Sequence, residues 1–453
     1  MAPGGEGGAG GTGGAVEGTG GAGGKSSPGD GGSGGTGGGP AREEPPDFDP
    51  AADLGLPGEW RFVELNKQPS KFWFFEGQSG SLNLPAPVWE PCGPGCEFSS
   101  LNYLKGTHQV VVSSEMDSDT GAVVTIVGMR HSFEKSNFFL NRIVRLSDGV
   151  TIGALLAHPR SPELYPAVFS RPESARSILA SDSDSETFRI LYVSLESTGQ
   201  WNFREPWDTS GQRATSCKQF DLDSSPSAYL FACPHALEIM AEAGNSRITA
   251  IPDSKNAVNG AGNFGEAVWV EHDYELPFSS RIRAWSPGKE PRTLAEIPDF
   301  VCGLGIGPDK IVGLRGLDEL YGQGCWGGLA EARFFKMNRD GGEIEESPVL
   351  PGEARGISDV SVYGDWLVAR LALPPTADHP RRSIVIVRLS DWTIRQIWEP
   401  EGRTLANSSV AVDDEYFYFT TEYSMFGNHG FDRLYRYRLD RFEQIGEPIF
   451  PAP

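Results

Sequence analysis

Seven copies of one sequence pattern recur about every 49 residues between residue 122 and the C-terminus, and no feature of the chain narrows its fold more. The clearest copies are NRIVRLSDGVTIGALL (141–156), RRSIVIVRLSDWTIRQIWEP (381–400) and FDRLYRYRLDRFEQIGEPI (431–449). Each reads as an apolar strand, a tight turn and a second strand. The turns centre on Asp148, Thr198, Gly244, Pro287, Asp340, Asp391 and Asp440. A second strand pair precedes each hairpin, as in DVSVYGDWLVARLAL (359–373), SVAVDDEYFYFTTEY (409–423) and CGLGIGPDKIVGLRG (302–316), where Tyr-Gly-Asp, Asp-Asp and Gly-Pro-Asp mark the reversal. Four strands per repeat and no long helical pattern predict an all-β chain, a β-propeller of seven four-stranded blades.

A further hairpin is read in KFWFFEGQSGSLNLPAPVWEP (71–91), whose end echoes the IWEP of 397–400. It either donates a strand to the last blade and closes the ring or begins an incomplete eighth blade; seven is the preferred count and eight the alternative. Residues 1–57 are different material. Of the first 40 residues, 21 are glycine, and 41–57 continue as an acidic, Pro-bearing linker. Nothing there is large enough to offset its ordering entropy, so 1–57 is expected to be a disordered tether and 58–453 the propeller.

The formal charge of −22, from 61 acidic and 39 basic residues, argues against nucleic acid or an anionic membrane as partner. No stretch approaches the roughly 18 apolar residues of a transmembrane span, and no signal peptide follows Met1. The six cysteines fall in neighbouring pairs: Cys92 with Cys96, Cys217 with Cys233, and Cys302 with Cys325. In a propeller the connector entering a blade and the loop leaving its second strand lie on one face, so the last two pairs can meet. An even count in local pairs predicts three disulfides and an extracytoplasmic setting. Zinc-ligand spacing is missing, and no metal or cofactor is expected.

The blade period resembles that of bacterial propellers of the TolB-like and YncE-like class over roughly residues 60–450. The Gly-rich head resembles the spacer behind the lipidated cysteine of exported lipoproteins. That resemblance implies a scaffold and a compartment: secreted, periplasmic or surface-held, through a lipid anchor upstream of this chain. It carries no residue-level function across.

The long loops all fall on one side of the predicted blades, and long loops over a rigid scaffold are where binding residues concentrate. Aligning the second strands places polar residues at or just past their ends: Arg130 and His131, Asp182, His235, Glu271 and His272, Arg315, Arg370, and Glu422. Together with Trp207, Tyr274, Tyr321, Trp326, Tyr423 and His429 from the same loops and strand ends, they form a candidate ligand-binding face. Aromatic and charged groups there suit a protein or a carbohydrate ligand. No Gly-x-Ser-x-Gly elbow, phosphate-binding loop or His-Glu-x-x-His motif is present, and MDSDTGA (116–122) lacks the distal Glu of a calcium loop. The sequence therefore predicts a monomeric, non-catalytic binding propeller. The alternative is a polysaccharide lyase or glycoside hydrolase working at the channel rim, where catalytic residues cannot be assigned.

Overall fold

The computed structural model describes residues 49–56, 58–64, 71–75, 86–100, 107–116, 123–132, 139–157, 168–171, 175–181, 188–195, 201–204, 228–233, 236–241, 248–250, 257–263, 266–273, 278–286, 288–318, 328–372, 382–400, 403–405, 408–425 and 428–450. All of them lie in one compact unit, Phe48–Pro453. The Gly-rich head lies outside the described residues. The segment expected to be a linker contains a helical turn, Pro50–Leu54. Asp49 accepts from the Ala51 N–H, Pro50 sits where its missing N–H costs nothing, and Gly55 closes the turn at φ +66°.

The described strands form seven antiparallel sheets. Four of the predicted hairpins are these: Phe139–Arg145 pairs with Thr151–Ala157, Ser383–Arg388 with Thr393–Trp398, Phe300–Ile306 with Lys310–Asp318, and Arg355–Tyr363 with Trp366–Ala372. From the fourth sheet to the seventh and on to the first, neighbouring sheets pack face to face, and alternation along single strands explains how. On Trp366–Ala372, Leu367, Ala369 and Leu371 point into the core shared with the fifth sheet, while Val368 points into the core shared with the seventh. On Tyr416–Met425, Phe417 and Phe419 face the sixth sheet, and Tyr418 meets Val112, Val127 and Met129 of the first. A strand that is buried on both faces reads as a continuous apolar run, which is what IVIV at 384–387 and YFYF at 416–419 are.

The innermost strands press together closely. A Cβ on Gly305, in Phe300–Ile306, would lie 2.6 Å from Val362 Cγ2 and 2.8 Å from Val360 Cγ1 of the next inner strand, Arg355–Tyr363. The last sheet returns to the first through the core just described and through two bonds. Ser409 Oγ accepts from the Val112 N–H at 2.8 Å, and Thr125 Oγ1 donates to Asp413 Oδ2 at 2.6 Å. This succession of antiparallel sheets, the last of which returns to the first, is a β-propeller.

Ring closure differs in detail from the sequence expectation. Lys71–Phe75 does not pair within 71–91. It pairs with Trp60–Glu64 on one side and with Thr151–Ala157 on the other, extending the first sheet to six strands. A later hairpin, Glu90–Gly93 with Cys96–Ser100, extends the last sheet, Cys96–Ser100 lying beside Asn428–Arg438. The pattern read as a hairpin at 431–449 is one strand followed by a 3-10 turn, Leu439–Gln444, and Glu447–Pro448 pairs back onto Thr393–Trp398 of the sixth sheet. Leu439 and Phe442 are buried in the core between these sheets and draw the chain across. The fourth-strand position is already filled from the N-terminal side.

Cys92 and Cys96 form the expected disulfide, inside the closing hairpin. Cys302, buried on Phe300–Ile306, is also disulfide-bonded, and no partner sulfur is seen among the described residues. Cys217 and Cys325 lie outside them, and nothing is described of the Cys233 side chain at the end of Ala228–Cys233.

Candidate functional site

Second strands that leave the ring's core toward the long loops carry most of the candidate face. Trp207, Tyr274, Tyr321 and Trp326, with Asp182 and His235, lie outside the described residues. Arg130 and His131 are placed on Val123–Ser132, opposite Asn141 and Leu140; Tyr423 and His429 flank the turn between Tyr416–Met425 and Asn428–Arg438. Their backbones are described and their side chains are not. His272, Arg315, Arg370 and Glu422 stand near the loop-side ends of the second strands of the fourth to seventh sheets.

The contacts of these residues run within and between sheets. The His272 ring is buried, its Nε2–H donates to the Val301 carbonyl at 3.0 Å, and it meets Phe300 edge-on with centroids 4.8 Å apart. Both partners belong to the inner strand of the next sheet. Arg370 likewise donates from Nη1 to the Leu405 carbonyl of the following sheet at 3.1 Å. Ser280 adds a third link of the kind, donating to the Asp299 carbonyl at 2.7 Å and accepting from the Val301 N–H at 3.0 Å.

Arg315 pairs with Asp299 and, at 2.5 Å, with Glu346, so it ties the entry of the fifth sheet to that sheet's outermost strand. Burial raises the Asp299 carboxyl above its ordinary value, and the Arg315 charge opposes that rise without cancelling it. Glu271 accepts from Trp269 Nε1 at 2.9 Å and from Arg283 at 3.1 Å, and Arg281 stands 3.5 Å away. Glu422 is buried, with 4% of its surface exposed. Among the described residues, no group of three or more His, Cys, Asp or Glu stands where it could hold a metal ion.

The opposite end of the sheets holds a cavity that the sequence did not announce. Its volume is about 590 Å³, and Glu266, Lys289, Arg292, Asp309, Arg339 and Asp340 are among its walls. These residues come from the tight turns joining first to second and third to fourth strands in the fourth and fifth sheets. Glu266 Oε1 accepts from Arg292 Nη2 at 2.8 Å, and Oε2 accepts from Arg339 Nη2 at 3.2 Å. The signal was present in SPGKEPR (286–292), GPDK (307–310) and NRDGGE (338–343), charged turns in consecutive repeats.

No family model matches this sequence, and no curated protein does. Solved structures do. The β-propeller domain of the Trilobed protease from Pyrococcus furiosus is 12% identical, with 72% of this chain and 98% of that one covered, at a TM-score of 0.45. An oligogalacturonate lyase in complex with manganese is 13% identical over 74% of this chain and 98% of its own, at 0.39. Pyrococcus horikoshii acylaminoacyl peptidase is 10% identical over 71% of this chain and 50% of its own, at 0.43. The likeness is one of fold.

Proposed function

We propose that the chain is a non-catalytic, extracytoplasmic β-propeller that binds a protein or a glycan through its long-loop end, with one blade for each of the seven sheets. The observation that carries this reading is the engagement of the strand-end residues. His272 and Arg370 hold backbone carbonyls of the next sheet, and Arg315 holds two carboxylates. General acid–base work needs such groups within hydrogen-bond reach of a substrate proton, whereas here His272 and Arg370 link neighbouring sheets and Arg315 ties together two ends of one sheet. The Cys92–Cys96 disulfide and the bonded Cys302 favour an oxidising compartment. In this reading the Gly-rich head holds the propeller away from an anchor.

The test is a glycan and polysaccharide array probed with the full-length chain, scoring bound ligand together with released reducing or unsaturated sugar. Binding without product is the expected result. Released product would replace this reading with a lyase or hydrolase, and silence on both counts would remove the glycan half of it and leave a protein ligand.

A further inference from the structure

Three cations and three acids line the turn-end cavity, so its charge is balanced where the chain as a whole is strongly acidic. The chain carries a formal −22, yet Lys289, Arg292 and Arg339 meet here. Glu266 is their buried counter-charge, 8% exposed, and it is one carboxylate between two guanidinium groups. The other two acids face water. The Asp340 side chain is 99% exposed and 3.7 Å from Arg292, and that of Asp309 is 68% exposed and turned toward Lys310 at 3.5 Å. Solvated pairs of this kind neutralise little.

Donors remain as well as charge. Arg292 gives one Nη2–H to Glu266, the other to the Arg339 carbonyl at 3.3 Å, and one Nη1–H to the Asp340 carbonyl at 3.2 Å. Its Nε–H and second Nη1–H have no partner among the described residues, and neither has the Lys289 ammonium. The frame that holds these donors is stiff. Arg292 opens the strand Arg292–Ile297, Arg339 directly follows Leu329–Asn338, and Gly341 at φ +92° lies against Leu294, where a Cβ would come 3.0 Å from the carbonyl oxygen. Pre-placed donors lose little freedom when a ligand arrives.

We propose that this cavity is a second ligand site, distinct from the long-loop end, and that it takes a small molecule through an anionic group: a carboxylate, sulfate or phosphate. The volume falls within the range of about 300–1,000 Å³ usual for small-molecule sites. Arg292 presents a planar guanidinium fork suited to an oxyanion, Lys289 supplies a second charge at the mouth, and Glu266 orients both arginines from below. The walls belong to two sheets, so a bound ligand bridges them and stabilises the fold by mass action.

The experiment uses the full-length chain, titrated with sodium phosphate, sodium sulfate and sodium glucuronate against sodium chloride at matched ionic strength, and read by calorimetry and thermal melting. A saturable heat and a rise in melting temperature with at least one of the three are expected, and the arm that responds identifies the group. Lys289→Ala removes an exposed turn residue outside the strands, so it should melt with the parent in chloride and bind the responding anion about tenfold more weakly. Arg292→Lys keeps the charge, loses the fork and should also weaken binding. Equal behaviour in all four salts, or unchanged binding by Lys289→Ala, would overturn the proposal and leave a purely structural ion-pair network. The glycan array reads the other end of the molecule, so the two proposals fail separately.

Discussion

Arg436 and Glu97 lie 339 residues apart in sequence, yet both Nε and Nη2 of the arginine reach Glu97 Oε2 at 2.6 Å, where Cys96–Ser100 runs beside Asn428–Arg438. The same guanidinium stands 3.9 Å from the centroid of the Trp89 ring and 4.7 Å from that of Tyr416. One cation thus holds the N-terminal hairpin to the last sheet by charge and by two aromatic faces. Glu97 is 37% exposed, so Glu97→Gln should cost about 1 kcal/mol or less. Arg436→Ala also removes the ring contacts and should cost about 2–3 kcal/mol. Urea midpoints of both variants measure the difference; equal losses would show that the rings contribute nothing.

Much of this fold is legible because each repeat is local. Val385 and Val387 face one core and Ile384 and Ile386 the other, and a run of four such residues already announces a strand covered on both sides. Ring closure is not local. Arg438 and Asp440 pair as Arg388 and Asp391 do, so the final repeat looks like the one before it. Nothing nearby reveals that Cys96–Ser100 already occupies the neighbouring edge. The turn-end cavity was hidden for the same reason: Glu266 and Arg339 are 73 residues apart and meet because adjacent sheets pack.

Closure by an added hairpin makes its disulfide a stability element. The Cys92–Cys96 bond closes a loop of about five residues, which the chain-entropy relation values at roughly 2 kcal/mol. The Cys92→Ser/Cys96→Ser double variant should therefore melt a few degrees below the parent in non-reducing buffer. Equal melting would show that strand pairing alone holds the hairpin.

Deletion separates the head from the clasp. Removing residues 1–47 leaves every described contact in place and should not change the melting temperature. Removing 1–100 also strips the strands from the outer edges of the first and last sheets, Thr151–Ala157 and Asn428–Arg438. Exposed edges recruit other chains, so this variant should aggregate or unfold. A soluble variant with parental melting would show that the ring closes without the N-terminal strands.

Trp392 adopts φ +57°, a left-handed conformation in which a bulky residue is strained by roughly 1–2 kcal/mol, while Gly149 takes the matching turn position in the first sheet at φ +71°. Compensation comes from the side chain. Trp392 packs on the core between the fifth and sixth sheets, and Lys336 Nζ stands 5.2 Å from its ring centroid while donating to the Leu389 carbonyl at 2.8 Å. Trp392→Gly should relieve the backbone and still lower stability, by a net of about 1–2 kcal/mol, because the lost packing exceeds the strain. A more stable glycine variant would mean that the ring contributes less than its backbone costs.

The Arg-x-x-Asp turns also set a pH dependence. Hydrogen bonds from Arg388 are the main cause that holds the Asp391 carboxyl well below its ordinary value; at Asp148, partial burial pushes upward, but bonds from Arg145 and the Val150 N–H outweigh it and the net shift is downward. A carboxyl lowered in the folded state contributes stability that is complete above its unfolded value of about 3.9 and is lost as pH falls through the lower folded value. The two aspartates are 48% and 42% exposed, so each pair should contribute under about 1 kcal/mol. The Asp148→Asn/Asp391→Asn variant should be less stable than the parent at pH 6, and the gap should narrow below pH 4 and keep shrinking to pH 2 without vanishing there, as followed by urea midpoints across the series. A gap that stays constant from pH 6 to pH 2 would mean that the asparagines disturb turn geometry and that the carboxylate charge contributes nothing.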